Sequence, residues 1–406
     1  MAALYLHDLG VGDQLLAGGL FWEPHYGMAA WDGQDWSQIG SPLEGDVFDF
    51  LRFDDGNGEK LYIVGNLYVG GDDLWHVARL DDGTWTFLDH GDITNSVNRM
   101  AVWDDGTGPG LYVTGDFDTL DGVTTHNGIA RWDGTQWHPL NGGMTSVNFP
   151  NIGLALEVFD DGSGEQLYLG GTFQRVDGMP FFYLARWDGS EWSDVGNGQP
   201  NLSVTDMCVH DDGSGTALYI VGDFSGVAGM EMNHVARWDG IEWSDLDRGT
   251  QRQSSGVNAC AVFDDGSGPA LYISGGISEA SGKPMCNIAR WDGTEWHNPA
   301  GGLDCTGNQG AFAMLGLPPD SPFGPSMFVG GSFSQAGGQA TNFIAEYRGC
   351  YCRADLDGNG ILTTQDFLTY LNLWVARDPV ADWNTDGTIN TQDFLAYLNE
   401  WVAGCG

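Results

Sequence analysis

Four nearly identical phrases place the strongest constraint on this chain: IARWDGTQW beginning at Ile129, LARWDGSEW at Leu184, VARWDGIEW at Val235 and IARWDGTEW at Ile288. Weaker copies extend the series to seven: MAAWDGQDW from Met28, VARLDDGTW from Val77 and IAEYRG from Ile344. Copies recur roughly every 50 residues, the period of a four-stranded propeller blade and too long for most helical solenoids.

Each copy follows the same upstream text: an apolar run, a DDGxG turn and then LYxxGG or LYxxGD. In the sixth unit these read VNACAVF, DDGSG and LYISGG, residues 257–276. Short β-branched and aromatic runs divided by Asp-Gly clusters signal strands and hairpins, because Gly and Asp accept the positive φ that tight turns need. One unit therefore predicts an inner strand at 155–159, a turn at 160–164, a second strand at 167–171, a variable loop, a third strand at 184–187, a turn at 188–189 and an outer strand around Trp192. The first unit begins on its inner strand, AALYL, and the last ends after its third. The fold expected is mainly β, a seven-bladed β-propeller over residues 1–349, with the repeated Trp and Leu positions packed between blades.

With 56 acidic against 15 basic residues, the formal charge of −41 argues against nucleic acid as a partner, since phosphate binding needs a basic footprint. No stretch approaches the ~18 to 20 apolar residues of a membrane span. MAALYL is too short, and lacks the basic flank, for a secretory signal. Because the repeat starts almost at Met1, an export signal is expected to be missing from this sequence, with an extracellular or cell-surface location.

Seven cysteines are present. Cys208 and Cys260 fall in inner strands, where a buried thiol is the ordinary reading. Cys286 and Cys305 flank the outer part of the sixth unit and could pair. Cys352 and Cys405 bracket the C-terminal segment, as a disulfide clasp in an oxidising compartment would, and Cys350 could pair or stay free.

After Gly349 the text changes. DLDGNGILTTQD, residues 355–366, is followed by DWNTDGTINTQD, residues 382–393. A 12-residue calcium loop supplies oxygens from positions 1, 3, 5, 7, 9 and 12 around a Gly at position 6. The first loop offers Asp355, Asp357, Asn359, the Ile361 carbonyl, Thr363 and Asp366. The second offers Asp382, Asn384, Asp386, the Thr388 carbonyl, Asn390 and Asp393. Two Ca2+ ions are therefore expected. Each loop leads into an apolar helix pattern, with Phe367, Leu368, Leu371, Trp374 and Val375 read as one face and Phe394, Leu395, Leu398, Trp401 and Val402 as its repeat.

A duplicated loop and helix with Asp at position 12 resembles the dockerin type I module, and the Gly404-Cys405 ending resembles its GC-type variant at the C-termini of bacterial exported proteins. That resemblance implies a calcium-folded docking or anchoring domain, residues 350–406, for a cohesin-like or cell-surface protein. Loop positions 10 and 11 would then touch the partner. They are Thr364 and Gln365 in one half and Thr391 and Gln392 in the other, so the module could bind in two orientations. The propeller units resemble bacterial exported repeats of the LYVGGDF and IARWDG type, and more distantly the Kelch-like repeats of fungal cortical cell-polarity markers. Neither resemblance implies a reaction.

Nothing in the repeats carries a catalytic motif: there is no HExxH and no GxSxG, and the nine histidines are read as surface or loop residues. DDGxG is read as a hairpin turn in preference to a calcium site. Arg79, Arg131, Arg186, Arg237 and Arg290 recur at one blade position and are expected to pair with nearby Asp. Variable segments 118–127 and 174–182, with Phe181, Phe182 and Tyr183, are where a glycan or protein ligand is expected. The function expected is that of an exported, non-catalytic binding or surface-associated propeller attached by the calcium module. The alternative is a polysaccharide-active hydrolase or lyase delivered by the same module, which needs two opposed carboxyls. A purely structural role is a third.

Overall fold

The computed structural model describes residues 3–21, 25–69, 73–89, 96–146, 151–305, 310–341, 343–348, 354, 356, 364–384 and 387–403. Seven antiparallel sheets follow one another along the chain in a seven-bladed β-propeller arrangement. Their inner strands are Ala3–Asp8, Glu44–Asp54, Val97–Asp104, Gly153–Asp160, Val204–Asp211, Thr250–Asp264 and Ala311–Leu317. Blade three shows the pattern: Val97–Asp104, Pro109–Gly115, Ile129–Trp132 and Trp137–Pro139 pair in sequence order. The seventh sheet holds three described strands, ending with Ile344–Arg348. Contacts group the chain into two units, one of Met1–Val262, Leu271–Leu315 and Phe328–Ala345, the other of Phe263–Ala270, Gly316–Met327 and Glu346–Gly406.

The repeated letters turn into repeated packing. In LYVTG the side chains of Leu111, Tyr112 and Val113 are all fully buried, because the second strand is covered on both faces by neighbouring blades. The glycine closing that strand sits where the ladder with the inner strand slips: a Cβ on Gly115 would lie 2.1 Å from the Ser96 carbonyl oxygen, and one on Gly171 equally close to that of Ile152. Only hydrogen fits there.

WDGxxW is a hairpin whose two tryptophans meet across the strand pair, with ring centroids 5.2 Å apart for Trp132 and Trp137. The second Trp also reaches back to the preceding blade. Indole Nε1 of Trp137 donates to the Leu88 carbonyl at 2.7 Å, Trp192 to Leu140 at 3.2 Å, Trp243 to Val195 at 3.2 Å and Trp296 to Leu246 at 2.9 Å. Each such ring combines large apolar burial with a satisfied N–H, which is why the phrase repeats with the blade period.

In the second unit, helices α1 (Thr364–Ala376) and α2 (Thr391–Ala403) are joined through a short turn at Pro379–Ala381. Tyr370 and Tyr397 stack with centroids 3.8 Å apart, and Trp383 stands edge-on to both. Tyr370 donates its hydroxyl to the Ala381 carbonyl and Tyr397 to that of Ala354, both at 3.3 Å. Each tyrosine is thus tied to the residue just ahead of the other half's loop.

The expected helix face is corrected. Phe367, Tyr370, Leu373 and Trp374 turn inward with Phe394, Tyr397 and Trp401. Leu368 and Val375 are 51% and 74% exposed, and Leu395 and Val402 are 48% and 71% exposed. The apolar positions of each helix form two stripes, of which only one is core.

Candidate functional site

The charged residues of the repeat are used inside the blades. In DDGTG the first acid, Asp104, accepts from the N–H groups of Gly106 at 2.9 Å and Gly108 at 3.0 Å, closing the hairpin. The second, Asp105, turns inward. It accepts the Tyr112 hydroxyl at 2.8 Å and lies 3.5 Å from Nε of Arg131. Burial works against its charge, yet Thr107, Tyr112 and Arg131 together hold its carboxyl below the usual range. Tyr62, Asp55 and Arg79 repeat the clasp in blade two, and Tyr168, Asp161 and Arg186 in blade four. In blade five Arg237 stands 3.8 Å from Asp212. Four of the five arginines, Arg79, Arg131, Arg186 and Arg237, therefore pair with DDG acids, as their periodicity implied.

The WDG glycine then seats the clasp on its neighbour. Gly134, at φ +96°, would place a Cβ 2.6 Å from the Asp55 carbonyl of the preceding blade, and Gly240 one 2.3 Å from that of Asp161. DDG and WDG turns interlock blade to blade, so both are structural.

Several histidines differ from the surface reading: His76, His126, His210 and His234 are buried. His76 Nδ1 lies 3.1 Å from Asp89, and His126 Nδ1 accepts from the Leu120 N–H at 3.2 Å, organising the 118–127 loop from within. Asp292, Glu295 and His297 bring one ligand atom each within 4.8 Å of one another. The His297–Asp292 contact of 2.6 Å recurs as His138–Asp133, with Gln136 in the place of Glu295, and Lys283 occupies Glu295 at 2.7 Å. This is the WDG turn in its ordinary form.

A cluster that sequence reasoning missed lies on the inner strands. Asp49, Arg99 and Asp206 each stand five residues ahead of a DDG turn, with Glu157 two residues further along in blade four. All four are half-buried. Asp49 Oδ2 accepts from the Met100 N–H of the next blade at 2.8 Å, and Asp206 Oδ2 accepts from that of Cys260 at 2.9 Å. Arg99 donates to the carbonyls of Phe48 at 3.1 Å and Asn98 at 2.9 Å. Burial pushes the Asp49 carboxyl up to about 6, with Arg99 opposing, and Glu157 up to about 7, reinforced by the charge of Asp206. Asp206 is raised as well, by burial, against the pull of Arg99. Asp49 and Asp206 share the field of one guanidinium while Glu157 lies in the field of Asp206, so protons are held here to higher pH than on an exposed carboxyl. The signal available in sequence was a polar residue recurring where Ala155 and Ala259 stand in other blades.

Two further features are exposed. A groove of about 1030 Å³ on blades two to four is lined by Arg52, Asp55, Asp105, Arg131, His138 and Trp187; Asp55, Asp105, Arg131 and His138 are engaged in the clasps and turns above, and Arg52 pairs with Glu59. On the opposite loops, Met179, Phe182, Leu202 and Met230 are 54%, 40%, 43% and 46% exposed. Phe182 belongs to the aromatic segment singled out above; Phe181 instead packs against the core.

In the C-terminal segment, the second loop is mostly described. Asp382 Oδ2 accepts from the Gly387 N–H at 2.8 Å, with Gly387 at φ +81°. Asp393 is fully buried and accepts from the N–H groups of Asn384 at 3.1 Å and Asn390 at 2.8 Å, which hold its carboxyl below the usual range. In the first loop Asp366 is likewise fully buried and accepts from Leu356 at 3.0 Å. Thr364, Gln365, Thr391 and Gln392 are exposed on the first turns of the helices. Asp355, Asp357, Asn359, Ile361, Thr363, Asp386, Cys352 and Cys405 lie outside the described residues, and with them the expected Cys352–Cys405 bridge. Cys286 and Cys305 are joined in a disulfide. No helix among the described residues is long and apolar enough to cross a membrane.

Seven successive antiparallel sheets, with Tyr–Asp–Arg clasps inside blades two, three and four, define the chain as a β-propeller carrying a pair of C-terminal helices. No protein-family model matches the sequence, and no curated protein matches it. Among solved structures, the BBS1N domain in complex with ARL6DN is 10% identical with a TM-score of 0.44, over 80% of this chain and 86% of that one. The extracellular domain of a hybrid two component system from B. thetaiotaomicron is 13% identical with a TM-score of 0.36, over 82% of this chain and 46% of that one. The major Malassezia sympodialis allergen Mala s 1 is 14% identical with a TM-score of 0.29, over 67% and 83%. Likeness at this level bears on neither ligand nor location.

Proposed function

We propose that this chain is an exported, surface-associated binding protein: a propeller that offers a loop face to a glycan or protein, attached elsewhere by a calcium-folded, dockerin-like segment. The observation that carries the reading is the duplication on the two helices. Leu368 and Val375 on α1 match Leu395 and Val402 on α2 in position and exposure, each stripe beginning beside an exposed Thr-Gln pair. Two like surfaces of this kind suit a partner that binds in either of two orientations. The loops fit a hard divalent cation in their donor chemistry: Asp382, Asn384, the Thr388 carbonyl, Asn390 and Asp393 offer oxygen alone, around a glycine turn. Calcium bound there would tie loop to helix and supply folding free energy to a small unit. For the propeller, exposed Met179, Phe182, Leu202 and Met230 support a ligand at the loops, since aromatic and Met side chains mark contact surfaces.

The test is binding of the full chain to a type I cohesin domain. Affinity that requires calcium, survives Leu368→Ala/Val375→Ala or Leu395→Ala/Val402→Ala alone and is lost when both pairs are changed supports the reading. Binding that ignores chelation and all four substitutions sinks it.

The raised carboxyls of Asp49 and Glu157 favour a second reading, a hydrolase acting on polysaccharide, because general acid chemistry near neutrality needs a carboxyl that still holds its proton. Release of reducing ends from a polysaccharide panel, abolished by Glu157→Gln, would establish it. No release across the panel would leave the binding reading in place.

A further inference from the structure

Cys208 and Cys260 occupy the inner strands of blades five and six, and both are free thiols. Cys208 packs against the apolar cluster that contains Cys260, and each thiol lies near enough to the other to influence its titration. The neighbouring backbone is already tied across the same seam: Asp206 Oδ2 accepts from the Cys260 N–H at 2.9 Å, and the Thr205 hydroxyl donates to the Val257 carbonyl at 2.6 Å. Two free thiols brought to the same seam between two blades are placed for an oxidant to cross-link.

We propose that Cys208 and Cys260 form a second disulfide that latches blade five to blade six when the protein meets a disulfide oxidant. The surroundings favour that product over a thiolate-bound soft metal. Asp206 and Glu157 stand close by, so two sulfur anions would add to an acidic pocket, whereas an S–S bond carries no charge. Cys286–Cys305 is already linked in the same chain, and conditions that sustain one bridge permit the other.

The reaction balances as thiol–disulfide exchange. Cys208 is half-buried and Cys260 is buried, so Cys208 is the sulfur an oxidant reaches. Its thiolate attacks one sulfur of a small disulfide such as oxidised glutathione, forming a mixed disulfide and expelling one thiolate. Cys260 then attacks the Cys208 sulfur, closing the bridge and expelling the second thiolate. The two protons lost by the cysteines end on the two released thiols. Burial raises both thiols above their ordinary range, Cys260 the more strongly, so the exchange is slow in the closed propeller and faster during folding.

The experiment is peptide mapping of the intact chain after equilibration with oxidised glutathione, with alkylation in denaturant and no reduction. Expected is a linked peptide pair containing Cys208 and Cys260, and a thermal midpoint raised by about 5 °C over the dithiol form. Cys260→Ser should stop the reaction at a glutathione adduct on Cys208. Quantitative alkylation of both Cys208 and Cys260 in a sample whose Cys286–Cys305 bridge is intact overturns the proposal.

Discussion

Asp206 accepts a 2.9 Å hydrogen bond from the backbone of Cys260, one blade further along the chain, and Asp49 makes the same bond to Met100 at 2.8 Å. A buried N–H has no other way to be satisfied at a seam where neighbouring inner strands are not paired. Asp206→Ala removes the acceptor for both Met207 and Cys260. We expect about 1–3 kcal/mol of lost stability in urea unfolding at pH 5, and a smaller loss for Asp206→Asn, which keeps one side-chain oxygen.

Glu157 and Asp49 impose a pH dependence of opposite sign to that of a paired carboxylate. Their folded pKa values, about 7 and about 6, lie above those of the unfolded chain, so the native state binds more protons between roughly pH 4 and 7. Stability from these groups is highest below pH 4 and falls as pH rises through that window. Glu157→Gln should therefore raise the thermal midpoint at pH 8 and change it little at pH 4, a gain on the order of 1–3 kcal/mol. A variant equally stabilised at both pH values would contradict the assignment.

The Tyr–Asp–Arg clasp predicts a sharp asymmetry between its members. Asp105→Ala leaves Arg131 inside the blade without its carboxylate and should cost about 3–5 kcal/mol. Tyr112→Phe loses one hydrogen bond to Asp105 and should cost about 1 kcal/mol. Equilibrium denaturation of the two variants measures both.

Trp243 fills the space between blades and donates to Val195 at 3.2 Å. Trp243→Ala should destabilise by about 3–5 kcal/mol, and Trp243→Phe by less, as read by thermal unfolding. Similar losses at Trp192 and Trp296 would mark the phrase as a repeated structural device.

Much of this was legible in the letters. The period of WDGxxW announced blades, because a tryptophan that must reach the preceding blade recurs once per blade. The periodic arginines announced ion pairs for the same reason, and Arg79, Arg131, Arg186 and Arg237 make them. The inner-strand cluster was harder to read, since Asp49, Arg99 and Asp206 share a position that Ala155 and Ala259 fill elsewhere, and what joins them is proximity across blades. The helix faces misled differently. Leu368 and Val375 fit the apolar spacing as well as Trp374 does, and periodicity does not say which of two adjacent stripes a small core has room to cover.

The C-terminal loops are expected to take up calcium and thereby order α1 and α2. Amide hydrogen exchange of the full chain, with and without a chelator, tests this directly. Expected is strong protection over residues 364–376 and 391–403 in calcium, lost on chelation, while the strands around Tyr112 and Tyr219 keep theirs. Equal protection of both helices in the two conditions would contradict it.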